Sequence, residues 1–362
     1  MSWPLVKLHD ICRPKQWKTI AASNLLESGY PVYGANGKIG FYSEFTHESP
    51  TLMITCRGAT CGNVHISEPM SYINGNAMAL DDMDSSAVDL KYLYYFFLKR
   101  GFDDVISGSA QPQITGQGLT KVEIPLPPLP EQKRIATILD KADAIRRKRQ
   151  QAIQLADEFL RAVFLDMFGD PVTNPKGWEV RPVGEICGCI VPGRDKPKSF
   201  TGSTPWITTN ELNHLGVTTK NEKFIGLSED EISEVKAKVV PAGSVLMTCV
   251  GDLGVVSIAG DDMVINQQLH AFLSSDFVTP SFLSYALSWQ KGYMLRMATS
   301  TTVPYMNKTV CNSVPVVLPP TSLQERFEKI VDKVTESKAV MAVDSGAKLF
   351  ESISQRSFSG EL

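Results

Sequence analysis

The sequence predicts a mixed α/β protein that is duplicated in the order module, helix, module, helix. Three observations predict it. Residues Ala110–Ala142 align without a gap onto Thr302–Val334 at a constant offset of 192, with ten identities in 33 positions, where ordinary composition would give roughly two. Within those windows "LPPLPEQ" and "LPPTSLQ" each open a long helix-patterned stretch. Ahead of each stretch, short β-like segments alternate with Gly/Asn-rich turns and lead into an aromatic-rich or apolar helix candidate.

The duplication extends beyond the aligned window. "INGNAMAL" from Ile73 meets "INQQLHAF" from Ile265 at the same offset, and Thr55, Cys56 and Gly58 meet Thr248, Cys249 and Gly251 at 193. The halves begin alike, "WPLVKLHDIC" from Trp3 and "WEVRPVGEIC" from Trp178, and end alike, "MFGD" from Met167 and "FSGEL" from Phe358. The expected division is a first module over 1–129, a central helix over 130–168, a second module over 169–320 and a C-terminal helix over 321–362.

The first helix is legible from its pattern. Prolines forbid helix before Pro130, after which Glu131 and Gln132 open a run free of Pro and Gly until Gly169. Ile135, Ile138, Ala142, Ile145, Arg149, Ala152, Ala156, Phe159 and Val163 alternate spacings of three and four, a heptad-like seam broken only by Arg149. The 37 residues from Glu131 to Met167 would run ~55 Å at 1.5 Å per residue. The second copy repeats the seam as Phe327, Ile330, Val334, Ser337 and Met341, then slips by one residue before Phe350 and Ile353. Two such helices in one chain bury each other's stripe. The run "RRKR" from Arg146 has two readings, a direct contact to DNA and, more commonly for a charge run on a long helix, a solvated face.

Bulk properties narrow the classes. The chain has 362 residues, 43% hydrophobic and 21% charged, and a formal net charge of -3. That excludes a uniformly basic surface but leaves room for a locally positive cleft. The seven cysteines, Cys12, Cys56, Cys61, Cys187, Cys189, Cys249 and Cys311, show no paired zinc spacing and read as reduced, mostly buried residues. No apolar run reaches membrane-span length and the start lacks a signal-peptide pattern, so the expected location is the cytoplasm.

Catalytic patterns are missing from the sequence. "GANGKIG" from Gly34 is no phosphate loop, because Val32 stands where a Walker motif needs Gly. No dinucleotide fingerprint, zinc-protease motif or nucleophile elbow is present, and the five histidines are unclustered. The double prolines Pro127-Pro128 and Pro319-Pro320 follow Leu rather than the Asn or Asp of an adenine methyltransferase segment. What remains are donor-rich loops at matching points of both modules, "SGSAQPQIT" against "TSTTVPYMN" and "NGN" against "NQQ". Asn and Gln suit the major-groove edge of adenine, Arg and Lys that of guanine, and Ser and Thr suit phosphate. The candidate DNA-contacting residues are Lys38, Arg57, Asn76, Ser109, Gln111 and Gln113 in the first module, with Thr209, Asn210, Asp252, Gln267, Thr302 and Tyr305 in the second.

Two divergent modules, each followed by an "LPPLPEQ"-like segment and a long helix, the bridging "FLDMFGDPVTNPKGW" and the ending "SFSGEL" resemble the specificity subunit of type I restriction-modification systems along essentially the whole chain. The resemblance implies that each module is a target recognition domain for one half of a bipartite, asymmetric site in double-stranded DNA. It implies a pair of long antiparallel helices, a coiled coil that relates the two domains by pseudo-twofold symmetry. It also implies two methyltransferase (modification) subunits docked on the chain, and restriction subunits that complete the nuclease. Catalysis, S-adenosylmethionine, ATP and Mg then belong to the partners, and this chain is no enzyme and carries no cofactor or metal. The second copy departs from the pattern at "PTSLQE", which implies slightly unequal docking. Two other readings stay open. One is the recognition part of a single-chain restriction-methylation enzyme, which requires catalytic sequence upstream of a Met1 that leads directly into the first module. The other is a coiled-coil scaffold without DNA binding.

Overall fold

The computed structural model describes residues 3–35, 37–108, 111–193, 195–220, 225–299, 302–343 and 346–361. The chain forms two compact units, unit 1 from residues 1–151 with 342–362 and unit 2 from 152–341. The helices are α1 (Leu90–Arg100), α2 (Gly116–Leu119), α3 (Leu129–Phe168), α4 (Val183–Ile186), α5 (Glu229–Glu234), α6 (Pro280–Trp289), α7 (Lys291–Met297), α8 (Lys308–Asn312), α9 (Thr321–Val343) and α10 (Gly346–Ser359).

Unit 1 carries β1 (Leu5–Lys7), β2 (Arg13–Gln16), β3 (Tyr30–Gly34), β4 (Gly37–Tyr42), β5 (Leu52–Thr55), β6 (Val64–Ile66), β7 (Tyr72–Ile73), β8 (Ala77–Asp81) and β9 (Glu123–Pro125). A four-stranded antiparallel sheet runs in the order β2-β8-β5-β6, and β3 is flanked by β4 and by β7 in a three-stranded one. "GANGKIG" holds the end of β3 and the start of β4, whose pairing reaches the Gly34–Gly37 pair. Every residue of β5 is buried, the continuous apolar reading expected of a central strand. The aromatic richness of α1 has a cause, because the helix serves two faces. Leu93, Phe96 and Phe97 join the sheet core with Leu52 and Ile54, while Tyr92 and Tyr95 join Ile135 and Leu139 of α3.

Unit 2 carries β10 (Glu179–Pro182), β11 (Cys189–Ile190), β12 (Thr204–Ile207), β13 (Val217–Thr218), β14 (Gly226–Leu227), β15 (Val245–Thr248), β16 (Val256–Ala259), β17 (Val264–Ile265), β18 (Leu269–Phe272) and β19 (Pro315–Leu318). The pairing repeats that of unit 1: β11-β18-β15-β16 matches β2-β8-β5-β6, and β14-β12-β17 matches β4-β3-β7. The terminal pairs match as well, β10–β19 and β1–β9. In unit 2, β13 extends the main sheet beyond β16, and α5 follows β14.

The repeated "LPP" segment has a structural explanation in its glutamine. Gln132 is fully buried; its Nε2 donates to Ala87 O and Pro127 O, both at 2.8 Å, and its Oε1 accepts from Asp89 N at 2.8 Å. Gln324, also fully buried, does the same in unit 2, donating to Phe277 O (3.0 Å) and Pro319 O (2.8 Å) and accepting from Thr279 N (2.9 Å). Asp89 and Thr279 are the N-caps of α1 and α6. One amide therefore fastens the start of the long helix to the start of the module helix, with its donors and acceptor satisfied as burial requires.

Two sequence expectations are corrected in detail. Helix α3 starts at Leu129 rather than after Pro130; a proline in the first turn loses no intrahelical bond. The seam holds at its start, where Ile135 and Ala142 are buried, but Ile145 and Phe159 are 43% and 52% exposed and the buried stripe at the far end is Leu160, Phe164 and Phe168. An α-helix turns every 3.6 residues, so a 3.5-residue seam drifts off the buried face along its length. In unit 2 Phe164 stacks on Phe282 and Tyr285 and meets Phe327 of α9 edge-on at 5.5 Å. The C-terminal helix is described over α9 and α10, with 344 and 345 outside the described residues. In unit 1, Phe350 of α10 meets Tyr95 at 5.8 Å, and Phe358 meets Tyr92 and Phe96 at 5.5 Å. The early part of α3 thus shares its core with α10 and the late part with α9, as antiparallel helices do.

The bridging "FGDPVTNPKGW" is a helix stop. Gly169 takes φ +78°, and a Cβ there would sit 2.8 Å from Pro175 Cγ, so only glycine fits. Lys176 Nζ donates to Asp166 O and Met167 O at 2.6 and 2.9 Å, and Trp178 Nε1 donates to Phe168 O at 2.8 Å. These satisfy carbonyls that the helix leaves open, at the end that favours a cation.

Candidate nucleic-acid interface

The site is built twice from the same backbone bonds. In unit 1, Ile114 N donates to Cys56 O (3.0 Å), Gly58 N to Pro112 O (3.2 Å) and Cys56 N to Asn76 O (3.0 Å). In unit 2, Met306 N donates to Cys249 O (2.9 Å), Gly251 N to Pro304 O (3.0 Å) and Cys249 N to Gln268 O (2.8 Å). The flanking loops close identically, Ser107 with Gln113 and Thr299 with Tyr305. Gly58 (φ +85°) and Gly251 (φ +78°) make the turn that a side chain would strain.

These bonds set the structural equivalences Arg57 to Val250, Asn76 to Gln268, Gln111 to Val303, and Gln113 to Tyr305. Asn74 N donates to Tyr33 O and Asn266 N to Ile207 O. That match places Thr209 at the position of Ala35, and Asn210 at that of Asn36, which lies outside the described residues.

In unit 1 the structure gathers Arg57, Asn76, Gln111 and Gln113 around one depression of about 580 Å³, with Ala35 and Gly58 in its wall. All four side chains are exposed. Beneath them Cys56 is fully buried and Gln16 Nε2 lies 3.0 Å from its sulfur; burial pushes the thiol up. Lys38 stands apart, paired with Glu68 at 3.4 Å and with its ammonium 4.8 Å from the Phe41 ring centre. Ser109 lies outside the described residues.

In unit 2, Gln267 lines a depression of about 550 Å³ with Lys196, Phe200, Trp206, Thr208 and Gln268. Its Nε2 donates to Gly193 O and Asp195 O at 3.2 and 3.3 Å. Thr209 and Asn210 follow directly in a short 3-10 turn. Thr302 and Tyr305 stand on the loop after α7, Tyr305 44% exposed. The Asp252 carboxylate is engaged by Lys291 at 2.6 Å. Glu231 holds the loop that carries Phe200. Hydrogen bonds from the Ser199 hydroxyl first, then from Ser228 and Thr201, pull its carboxyl down to about 2; Thr201 N lies 3.1 Å and Ser228 N 2.8 Å from its oxygen.

Sequence reasoning missed Gln268, although a strict offset of 192 from Asn76 leads to it. It also missed Lys196, Phe200 and Trp206, which lie where the two halves no longer align. Arg146 and Arg147 of the basic run are both paired with the buried Asp143, at 2.7 and 2.8 Å. All seven cysteines are free, five of them buried. No cluster of three His, Cys, Asp or Glu suited to a metal occurs among the described residues, and no described helix is long and apolar enough to cross a membrane.

Comparison with known proteins decides the family. The profile of the type I restriction modification DNA specificity domain matches residues 2–155 and again residues 175–342. The chain belongs to this family. As a type I specificity subunit it is similar to the MjaIX specificity subunit of Methanocaldococcus jannaschii, at 25% identity over 79% of this chain and 71% of that one. The MjaVIII specificity subunit of the same organism is 20% identical over 93% and 87%. In fold, this specificity subunit resembles the crystal structure of a type I restriction-modification S subunit from M. genitalium, with a TM-score of 0.68 at 16% identity over 99% and 96% of the two chains. Two target recognition domains with long helices are the architecture of the fold described above.

Proposed function

We propose that this specificity subunit reads a bipartite, asymmetric DNA target, one half-site per module, and carries no catalytic centre of its own. The division into modules 1–129 and 169–320 and helices 130–168 and 321–362 is then a division of labour, the modules reading and the helices docking. Two methyltransferase subunits dock on the helices and restriction subunits join them, so S-adenosylmethionine, ATP and Mg act on the partners, in the cytoplasm. One observation carries the reading: identical backbone bonds build the same platform in both units, yet the exposed side chains offered by unit 1 are replaced at the matched positions of unit 2, Arg57 by Val250, Asn76 by Gln268, Gln111 by Val303 and Gln113 by Tyr305. A common scaffold with exchanged donors and acceptors is what reading two different half-sites requires.

Methylation sequencing of DNA from cells with and without the chain tests this. The expected result is one new bipartite motif that disappears with the chain. Purified chain alone is expected to transfer no methyl group; robust transfer without a partner would support the single-chain enzyme instead.

A further inference from the structure

The matched positions differ in a consistent chemical direction, and this difference points to the base composition of the two half-sites. In unit 1 the four positions hold a guanidinium and three amides. None of the side chains of Arg57, Asn76, Gln111 and Gln113 has a hydrogen-bond or ion-pair partner among the described residues. Their donors are paired with water in the free protein and need new acceptors once DNA displaces that water. In unit 2 the same positions hold Val250, Gln268, Val303 and Tyr305. Val303 is 50% exposed and Val250 half-buried. The one side-chain amide among them is already in use on one side, since Gln268 Oε1 accepts from Asn266 Nδ2 at 3.1 Å.

We infer that Arg57 reads a guanine in the first half-site, and that Val250 and Val303 read the 5-methyl group of a thymine in the second. The inference rests on the proposed DNA-recognition function. Guanine offers the N7 and O6 pair of acceptors that a planar guanidinium fork matches, whereas cytosine would oppose Arg57 with a donor. A valine has nothing to give a polar base edge, which would lose its water without replacement. The thymine methyl is the one apolar group on the major-groove edge of the bases and the surface two valines fit. The free Nε2 and remaining acceptor capacity of Gln268 are then turned to the adenine of a neighbouring or the same pair. The apolar platform of unit 2 is thus a reading surface and not a protein-docking patch.

The test uses the full chain assembled with its modification subunits on synthetic duplexes carrying the motif found by methylation sequencing. Replacing single guanines of the first half-site by 7-deazaguanine removes only N7, and replacing single thymines of the second by deoxyuridine removes only the methyl. At fixed salt, one 7-deazaguanine position is expected to weaken binding about tenfold or more in the native assembly and to have no further effect with Arg57→Ala. One deoxyuridine position is expected to weaken it about fourfold, the value of a buried methyl, and to lose that effect with Val303→Ala. Both variants change exposed side chains, so folding is preserved, and the near-normal response of each variant to changes in the other half-site controls for it. A first half-site without guanine, a second without thymine, or native binding indifferent to both replacements would overturn the inference. If a bipartite motif is still bound specifically in that case, the specificity reading survives; if no motif is found at all, that reading falls instead. Loss of assembly with modification subunits in Val303→Ala, with deoxyuridine tolerated, would reassign the patch to protein contact and also overturn the inference.

Discussion

Gln132 accepts the backbone N–H of Asp89 at 2.8 Å, so the amide that begins the long helix also completes the cap of α1. Gln132→Ala would leave that N–H and the carbonyls of Ala87 and Pro127 buried without this partner. The expected cost is roughly 2–4 kcal/mol of stability, read as a lowered denaturation midpoint, with hydrogen-exchange protection lost first around 87–93. Gln324→Ala should do the same around 277–283 in unit 2. Unchanged protection in either variant would remove the pin from the account of the fold.

A pH effect is expected in unit 2. Glu231 has its carboxyl pulled down to about 2 in the folded chain, so its contribution to stability is fully present above the ordinary carboxylate range and is lost as pH falls through about 2. Acid should therefore loosen the loop bearing Ser199 to Thr201, and with it Phe200 at the edge of the unit 2 depression. Glu231→Gln should loosen it at neutral pH. Fluorescence of the neighbouring Trp206, whose ring lies 5.9 Å from Phe200, is the readout; a signal independent of both changes would contradict the bracing role.

The centre of α3 is expected to set the unread gap of the DNA site. Between Asp143 and Leu160 no residue of α3 is buried, so four residues inserted near Gln150 disrupt no packed core. They add ~6 Å along the axis and nearly keep the helical phase. At ~3.4 Å per base pair the gap should grow by one or two pairs while both half-site sequences stay the same. Methylation sequencing of cells carrying the insertion reads this directly, and an active protein with the original gap would refute the spacing role.

Residues 1 to about 175 alone should pair with a second copy. Such a fragment lacks α10, which covers Tyr92 and Tyr95, and carries a whole α3 to offer in exchange. A symmetric pair would call for a palindromic site. A folded fragment that stays monomeric in sedimentation, with modification subunits present, would count against exchange of the helices.

Much of this architecture was legible in the sequence, because a duplication keeps backbone roles even where side chains change. The offset that pairs Pro112 with Pro304 also pairs the bonds those residues make, and the repeated Gln132 and Gln324 mark the same pin. The pattern failed where tertiary packing overrides period. Phe159 fits a heptad, yet Phe164 is the residue the module's aromatics enclose. It failed also where one copy has its own chain path. The loop that brings Lys196 and Phe200 to Gln267 follows β11, where no residue-by-residue counterpart in unit 1 could be aligned. Amide chemistry alone does not distinguish the adjacent Gln267 and Gln268, whereas the bond from Cys249 N to Gln268 O is what matches Gln268 to Asn76.

The rings of Phe350 and Phe358 complete the surface that Tyr92, Tyr95 and Phe96 present in unit 1, and this has a temporal consequence. On the ribosome, unit 2 is one uninterrupted stretch and can close as soon as it emerges, whereas the earlier-made unit 1 must wait for a segment synthesised after it. Pairings so distant along the chain are slow to form, and the aromatic surface they cover stays open meanwhile. The newborn chain is therefore most vulnerable in unit 1, and a premature stop ahead of α10 should show its damage there, hundreds of residues before the stop.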